Sequence, residues 1–167
     1  MAGEYTRKQI RENREMWIAF LRTPGLKKQV GVLEVGEARC CLGHGCVALG
    51  VPETGKRAAS VKPYVNSSAK VRVVATKYGN ISPEYTYAPK ELMQAVGLHF
   101  NTGALAGGGN FQFAGRCFTS LSELNDKSDA TPAQIADILE AHIEGGLRSF
   151  FVPLSHYPEE IADDATH

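Results

Sequence analysis

The sequence has no excess of charge of either sign. Its 167 residues include eighteen Lys and Arg against eighteen Asp and Glu, so the formal net charge at neutral pH is zero. No overall electrostatic field therefore draws the chain to nucleic acid or to an anionic membrane. We expect no strong general nucleic-acid binding, and contact with an anionic ligand must depend on a local group of cations.

Long hydrophobic runs are also missing. No stretch approaches the roughly eighteen apolar residues that would cross a bilayer, and residues 1–9 lack the apolar core of a secretory signal. The sequence thus predicts a cytoplasmic, soluble protein without a membrane partner. In such a reducing compartment we expect the four cysteines to be free thiols.

Two common cofactor and metal signatures are absent as well. The glycine run at 107–109 is followed by Phe-Gln-Phe and not by Gly-Lys-Ser/Thr, so neither a Walker loop nor a dinucleotide fingerprint applies. We predict that this run is a mobile hairpin tip, which would suit a lid over a small ligand, and we expect no cofactor. No C-x-x-C pair is present, and such close-spaced pairs are typical of structural zinc sites. A zinc site remains an alternative, and it would have to combine the more widely spaced Cys40, His44 and Cys117.

Helices and strands are predicted by caps and by short apolar patterns. Capping boxes at Thr6-Gln9 and Thr131-Gln134 each begin a helix, and the first helix is expected to end at Thr23-Pro24-Gly25. The remaining predicted elements are helices at 40–50 and 89–96 and strands at 29–35, 71–76, 111–113 and 117–118. Because these elements show no regular βαβ alternation, we predict an α+β fold.

The predicted architecture is a single compact domain over residues 1–155. About three to four helices would pack on a small, mainly antiparallel sheet. Residues 156–167, which hold several acidic side chains, are predicted to form a loosely ordered tail.

Three of the four cysteines lie between Arg39 and Cys46. At a helix N-terminus beside Arg39, Cys40 or Cys41 would be favoured as a thiolate, which is the form that a nucleophilic hydrolase needs. The other interpretation is that these cysteines pack in the core, because cysteine is among the most buried residue types. We favour packing, and a cysteine- or zinc-dependent hydrolase remains the alternative.

Three linked motifs follow one another in a fixed order along the chain. Residues 17–33 are similar to a W-x-x-A-L-R segment followed by a Y-x-Q-x-x-x-x-L stretch, and residues 40–46 to a C-C-L-G-x-x-C core. Residues 121–126 and then 135–138 resemble an L-x-x-L-N-D turn leading into an I-A-x-x-I helix. Together these motifs resemble a widespread family of small, mostly uncharacterised phage and prophage proteins.

This resemblance implies expression in the cytoplasm of an infected bacterium. Small phage proteins are often accessory factors that counter host defence, some of them by sequestering nucleotide signals. We therefore expect an anti-defence protein that binds and sequesters a small anionic, nucleotide-like signalling ligand without catalysis. A second alternative is an inhibitor that binds a host protein through residues 52–70, and a homo-oligomer is compatible with either function.

The candidate ligand site combines charge, aromatic surface and polar groups. Arg22, Lys27 and Arg39 would supply positive charge to an anionic ligand. Asn125-Asp126, whose default is turn chemistry, would alternatively contact polar ligand atoms. The full set is Arg22, Lys27, Gln29, Arg39, Asn125, Asp126, Phe111 and Tyr78.

Overall fold

A computed structural model of the chain describes residues 5–30, 34–35, 38–51, 64–66, 69–71 and 87–159. Within these ranges the chain forms five α-helices and three antiparallel strand pairs. The elements are α1 (Arg7–Leu21), β1 (Glu34–Val35), β2 (Ala38–Arg39), α2 (Cys41–Ala48), β3 (Tyr64–Asn66), β4 (Ala69–Val71), α3 (Lys90–Val96), β5 (Phe111–Phe113), β6 (Arg116–Phe118), α4 (Leu121–Lys127) and α5 (Pro132–Ala141). The predicted α+β class is therefore confirmed.

The strands of the described residues form separate two-stranded pairs, whereas the sequence predicted one small sheet. Of the predicted strand at 29–35, residues 34–35 lie in β1, residues 29–30 are not in a strand, and residues 31–33 lie outside the described ranges. Residues 72–76 of the strand predicted at 71–76 also lie outside these ranges. The β3–β4 pair lies at the end of the segment 52–70 proposed to contact a host protein and extends one residue beyond it, and most of that segment is also outside these ranges. None of the described helices has the length and apolar character needed to cross a bilayer.

Helix α1 begins as its capping box predicts. The Thr6 hydroxyl accepts a hydrogen bond from the Gln9 amide, and the Gln9 side chain accepts one from the Thr6 amide at 2.9 Å. The helix ends at Leu21, just before Thr23-Pro24-Gly25, and it packs against α2, α3 and α5. Helix α5 begins in the same way at Thr131, so both capping-box predictions are confirmed.

Helices α1 and α2 approach closely at Gly45. A Cβ atom at this position would lie 3.0 Å from the Trp17 ring, and the Trp17 Nε1 donates a hydrogen bond to the Cys41 carbonyl at 3.0 Å. A glycine inside a helix costs about 1 kcal/mol relative to alanine. Burial of the indole against this glycine offsets that cost.

Helix α4 forms where the sequence favoured a turn at Asn125-Asp126. Its N-terminus is capped by Ser120, whose hydroxyl accepts a hydrogen bond from the Glu123 amide at 3.0 Å. Leu121 and Leu124 are fully buried on one side of the helix. The turn prediction is wrong because this cap and this burial outweigh the local turn preference of the Asn-Asp pair.

The β5–β6 hairpin turns at Ala114-Gly115. Strand residue Phe111 pairs with Phe118, and both turn residues have positive φ, 50° for Ala114 and 78° for Gly115. Positive φ at both central residues characterises the type I′ turn, which matches the twist of a hairpin. The glycine run was predicted to be the hairpin tip, which is wrong, since it lies before β5 in a 3₁₀ turn over Ala106–Gly108.

A buried arginine holds the helices together at one end. Arg14 of α1 is fully buried, and its guanidinium donates to the carbonyls of Val96 at 2.7 Å, Ile143 at 2.8 Å and Val152 at 2.7 Å. Its Cζ also lies 4.4 Å from the centre of the Phe151 ring. Burial lowers the pKa of Arg14 to about 10, well above neutral pH, so the side chain stays charged.

The segment after α5 returns to the start of α1. The Arg7 amide donates to the Pro158 carbonyl at 2.8 Å, and the Arg7 guanidinium pairs with Glu159 at 3.3 Å. Residues 156–159 of the predicted loosely ordered tail are thus held against α1, while residues 160–167 lie outside the described ranges.

Candidate ligand-binding site

The β5–β6 hairpin and the C-terminal end of α4 surround a cavity of about 400 Å³. This volume is within the range of small-molecule sites, roughly 300–1,000 Å³. Two aromatic, two basic and two acidic side chains contribute to its wall. The lining residues are Phe113, Ala114, Arg116, Phe118, Asp126, Lys127, Ser128 and Asp129.

Other aromatic rings pack against Phe118 of the cavity wall. Phe118 is buried, with its ring centre 6.1 Å from that of Phe111, and Phe111 in turn packs edge-on against Phe150 at 5.2 Å. Phe111, one of the predicted ligand residues, is therefore a support for Phe118 and does not line the cavity itself.

Cations bind the carbonyls at the C-terminal end of α4. Arg116 Nη1 donates to the Lys127 carbonyl at 2.8 Å, and Lys28 Nζ donates to the Ser128 carbonyl at 2.7 Å. Such cations are favoured where helix carbonyls lack partners within the helix. Partial burial lowers the pKa of Lys28, although Asp126 and Asp129 act in the opposite direction. The lining itself holds two cations, Arg116 and Lys127, and two carboxylates, Asp126 and Asp129.

Asn125 links the cavity to the rest of the fold. Its side chain is 1% exposed, its Oδ1 accepts from the Cys41 amide at 3.2 Å, and its Nδ2 donates to the Gln29 carbonyl at 2.7 Å. The same Nδ2 lies 2.9 Å from Asp126 Oδ1. Asn125 was predicted to contact ligand, but in the structure it is buried and positions Asp126, which lines the cavity.

Five of the eight predicted ligand residues are connected by direct contacts. The Arg39 amide donates to the Lys27 carbonyl and the Gln29 amide to the Arg39 carbonyl, both at 2.9 Å. Through the Gln29 carbonyl this strand-like segment joins Asn125, and through Asn125 it reaches Asp126. Of the predicted ligand residues that the structure describes, Asp126 lines the cavity, and the other four members of this group are connected to it through hydrogen bonds.

Besides Phe111, two predicted ligand residues are not part of this group. Arg22 pairs with Asp137 at 2.8 Å and with Glu140 at 2.5 Å, both on α5, and these hydrogen bonds raise its pKa. Its charge is thus already neutralised by two carboxylates. Tyr78 lies outside the described residues. Arg116 and Lys127 were missed, although Arg116 directly precedes the strand predicted at 117–118.

The three cysteines of the Arg39 to Cys46 segment are buried. Cys40 caps α2, where its Sγ accepts from the Gly43 amide at 3.4 Å, and burial raises its pKa to about 12. Burial also raises the pKa of Cys41, whose Sγ lies 3.8 Å from the Leu121 carbonyl oxygen. Raised pKa values oppose thiolate formation, so the geometry supports packing and not a nucleophile.

The alternative zinc set is not assembled in the structure. Cys40 and His44 are buried at α2, whereas Cys117 is exposed on β6. Among the described residues, no three His, Cys, Asp or Glu side chains lie close enough together to hold a metal ion.

The cysteines should differ sharply in their reaction with a thiol reagent. We expect one rapidly reacting thiol per native chain, Cys117, because the other three are buried. Ellman's reagent, added to native and to urea-unfolded protein, measures the number of thiols in each class. Cys117→Ser should remove the rapid phase, and two or more rapid thiols in the native protein would contradict the packing interpretation.

His44 of α2 is also buried. It is 1% exposed, its Nε2 lies 3.2 Å from the Lys27 carbonyl oxygen, and its Nδ1 has no hydrogen-bond partner among the described residues. Burial lowers its pKa, and burial likewise lowers the pKa of His142. Both imidazoles are therefore neutral in the folded protein near neutral pH.

These histidines predict a loss of stability in mild acid. Because their pKa values in the folded chain lie below the ordinary value of 6.5, the unfolded chain binds more protons just below that pH. Stability is full above pH 6.5 and falls as the pH drops, by at most about 1.4 kcal/mol per pH unit for each histidine. Urea unfolding over this range measures the slope, which His44→Gln should reduce. A slope unchanged in that variant would contradict the assignment to His44.

The cavity brings together aromatic faces, cations and a positioned carboxylate. Aromatic faces stack on planar rings, cations pair with phosphate or carboxylate, and an aspartate accepts hydrogen bonds from N–H donors. The arrangement therefore offers separate contacts for a ring, for an anionic group and for a hydrogen-bond donor. Comparison of the chain with protein-family models, with curated proteins and with solved structures finds no match.

Proposed function

We propose that this protein binds a small nucleotide-like ligand in the cavity between the β5–β6 hairpin and α4, and that it holds the ligand without catalysis. The observation that carries this proposal is the presence of Phe113, Arg116 and Lys127 in one cavity of about 400 Å³, to whose wall the buried Phe118 also contributes. Stacking on an aromatic side chain contributes about 1–3 kcal/mol per base, and arginine pairs strongly with phosphate.

Holding the ligand, and not converting it, is supported by the types of side chain in the wall. The eight lining residues include no cysteine and no histidine, the types most used as nucleophile and as general base. The one hydroxyl, on Ser128, donates to the Leu124 carbonyl at 2.5 Å and accepts from the Ala130 amide at 3.1 Å. That hydroxyl is occupied in ending α4.

Sequestration is the role that we propose for such a binder in an infected bacterial cell, the setting that the sequence resemblance implies. A protein that removes a signalling nucleotide needs only to bind it more tightly than the host receptor does and to be present in comparable amount. Net charge of zero is compatible with this role, because Arg116 and Lys127 supply local positive charge in the cavity wall.

Isothermal titration calorimetry with GMP, AMP, CMP and UMP, and with the corresponding nucleosides, tests the proposal. We expect at least one mononucleotide to bind, and its nucleoside to bind about tenfold more weakly because the phosphate is missing. Arg116→Gln should weaken nucleotide binding by about tenfold and should leave nucleoside binding nearly unchanged.

Arg148→Gln is the matched control, since Arg148 is an exposed arginine that does not line the cavity. Circular dichroism establishes that both variants are folded. The proposal is wrong if no nucleotide binds at millimolar concentration, or if Arg116→Gln and Arg148→Gln bind as tightly as each other.

A further inference from the structure

The guanidinium of Arg116 is held in one orientation at the wall of the cavity. Its Nη1 donates to the Lys127 carbonyl at 2.8 Å, and its Cζ lies 5.1 Å from the centre of the Phe118 ring. The aromatic face fixes the plane of the guanidinium, and the carbonyl fixes its rotation within that plane. Phe118 is buried beneath Arg116, so it supports the guanidinium.

Arg116 retains donors for a ligand. Its Nε and Nη2 make no hydrogen bond to any other described residue, and this edge of a guanidinium matches two oxygens of one phosphate group. Lys127, whose carbonyl holds Arg116, also lines the cavity. Within the described ranges neither side chain forms an ion pair. The two cations can therefore bind one anionic group together.

The rest of the wall limits the negative charge that the cavity can accept. Asp129 is exposed and lines the same wall two residues after Lys127. Asp126 is bonded to Asn125 Nδ2 and is not required to contact the ligand. Once one phosphate occupies Arg116 and Lys127, both cations of the lining are used. A second phosphate would lose water beside Asp129 without gaining a cation, which is unfavourable.

Resting on the proposed function, we infer that the ligand is a nucleoside monophosphate whose terminal phosphate is bound jointly by Arg116 and Lys127. The guanidinium takes two phosphate oxygens, and the Lys127 ammonium takes the third. Phe113 is half-buried and pairs with Arg116 across the hairpin, so its ring contacts the base. Side chains of such a pair share one face, with Cβ atoms about 5 Å apart. This spacing suits a phosphate joined directly to the nucleoside.

Calorimetry with GMP, GDP, GTP and cyclic GMP tests the inference, and the four adenine analogues repeat the test on another base. The buffer contains EDTA and has a fixed ionic strength, so that no metal ion masks the phosphate charges. We expect the monophosphate to bind about tenfold more tightly than the triphosphate. The cyclic nucleotide should also bind about tenfold more weakly, because it lacks the third terminal oxygen. Simple electrostatic attraction predicts instead that affinity rises with ligand charge.

Arg116→Lys separates the orientation of the guanidinium from its charge. The variant keeps the positive charge but loses the paired donors, so GMP should bind about tenfold more weakly. Arg148→Lys is the matched control, because Arg148 is exposed and does not line the cavity. It should bind GMP as the wild type does.

Asp129→Asn tests the exclusion of further phosphates. Without this carboxylate all three nucleotides should bind more tightly, and GTP should gain most, so that the GMP to GTP ratio falls from about tenfold to about threefold. Glu15→Gln makes the same change in net charge at an exposed position of α1 outside the lining. That variant should keep the wild-type ratio.

The inference and the proposed function fail in different ways. The inference is overturned if GTP binds as tightly as GMP, if Arg116→Lys binds GMP like the wild type, or if Asp129→Asn keeps the wild-type ratio. In each of these cases weaker binding of all nucleotides by Arg116→Gln would still support the proposed function. If no nucleotide of either series binds at millimolar concentration, both fail.

Discussion

Replacing Arg14 with methionine is expected to lower the free energy of unfolding by about 3 kcal/mol. The substitution leaves the carbonyls of Val96, Ile143 and Val152 without their donor, and each buried acceptor left unsatisfied costs about 1–3 kcal/mol. Relief of the desolvation of the guanidinium offsets part of this loss. Methionine has a similar length, so the cavity term should be small.

Urea unfolding followed by circular dichroism measures this effect. Arg11→Met on the same helix is the matched control, because Arg11 makes an exposed ion pair with Glu144 at 2.7 Å that should contribute less than about 1 kcal/mol. Arg14→Lys should fall between the two, since one ammonium group cannot span three carbonyls that a guanidinium fork reaches. Equal losses for Arg14→Met and Arg11→Met would contradict the role given to Arg14.

The substitution Asn125→Asp is expected to lower the free energy of unfolding of the wild-type protein by about 3 kcal/mol at neutral pH. The new carboxylate can still accept from the Cys41 amide, but it faces the Gln29 carbonyl and the Asp126 carboxylate where the amide donated. Asn125→Ala should cost about 2 kcal/mol, because it removes the same bonds without adding a buried charge.

The comparison of these two variants isolates the donor role of the Asn125 amide. Asn110→Asp, at an exposed position, controls for the added charge and should change stability by less than about 0.5 kcal/mol. The loss in Asn125→Asp should shrink in acid, where one of the two neighbouring carboxyl groups becomes protonated. An Asn125→Asp variant as stable as Asn110→Asp at neutral pH would show that the Asn125 contacts are unimportant.

The elements that the sequence predicted correctly are those that depend on interactions between residues close together in the chain. The capping boxes at Thr6 and Thr131 place hydroxyl and amide partners three residues apart, so both helix starts could be predicted from the sequence. The β5–β6 strands also follow from a short aromatic pattern, but their turn does not. The three glycines at 107–109 are a stronger turn signal than Ala114-Gly115. The pairing of Phe111 with Phe118, however, requires the turn to lie at Ala114-Gly115.

The candidate site was harder to predict because it depends on contacts between distant segments. Asn125 and Asp126 were identified, yet their division into a buried positioning residue and a cavity residue depends on α4, which the Asn-Asp pair does not signal. Arg22 was chosen for its charge, and only the packing of α1 on α5 reveals the two carboxylates that neutralise it. A sequence shows which charges are present but not which of them are paired.

The central claim, that the cavity between the hairpin and α4 binds a nucleotide, is tested most directly by NMR. A titration of the ¹⁵N-labelled protein with GMP reports, amide by amide, where the ligand binds. We predict progressive shifts of the amide signals of residues 113–118 and 126–129, which include the lining residues. We predict no shifts for Asp137 and Glu140 of α5, which pair with Arg22. Shifts confined to other parts of the chain, or no shifts at millimolar GMP, would contradict the claim.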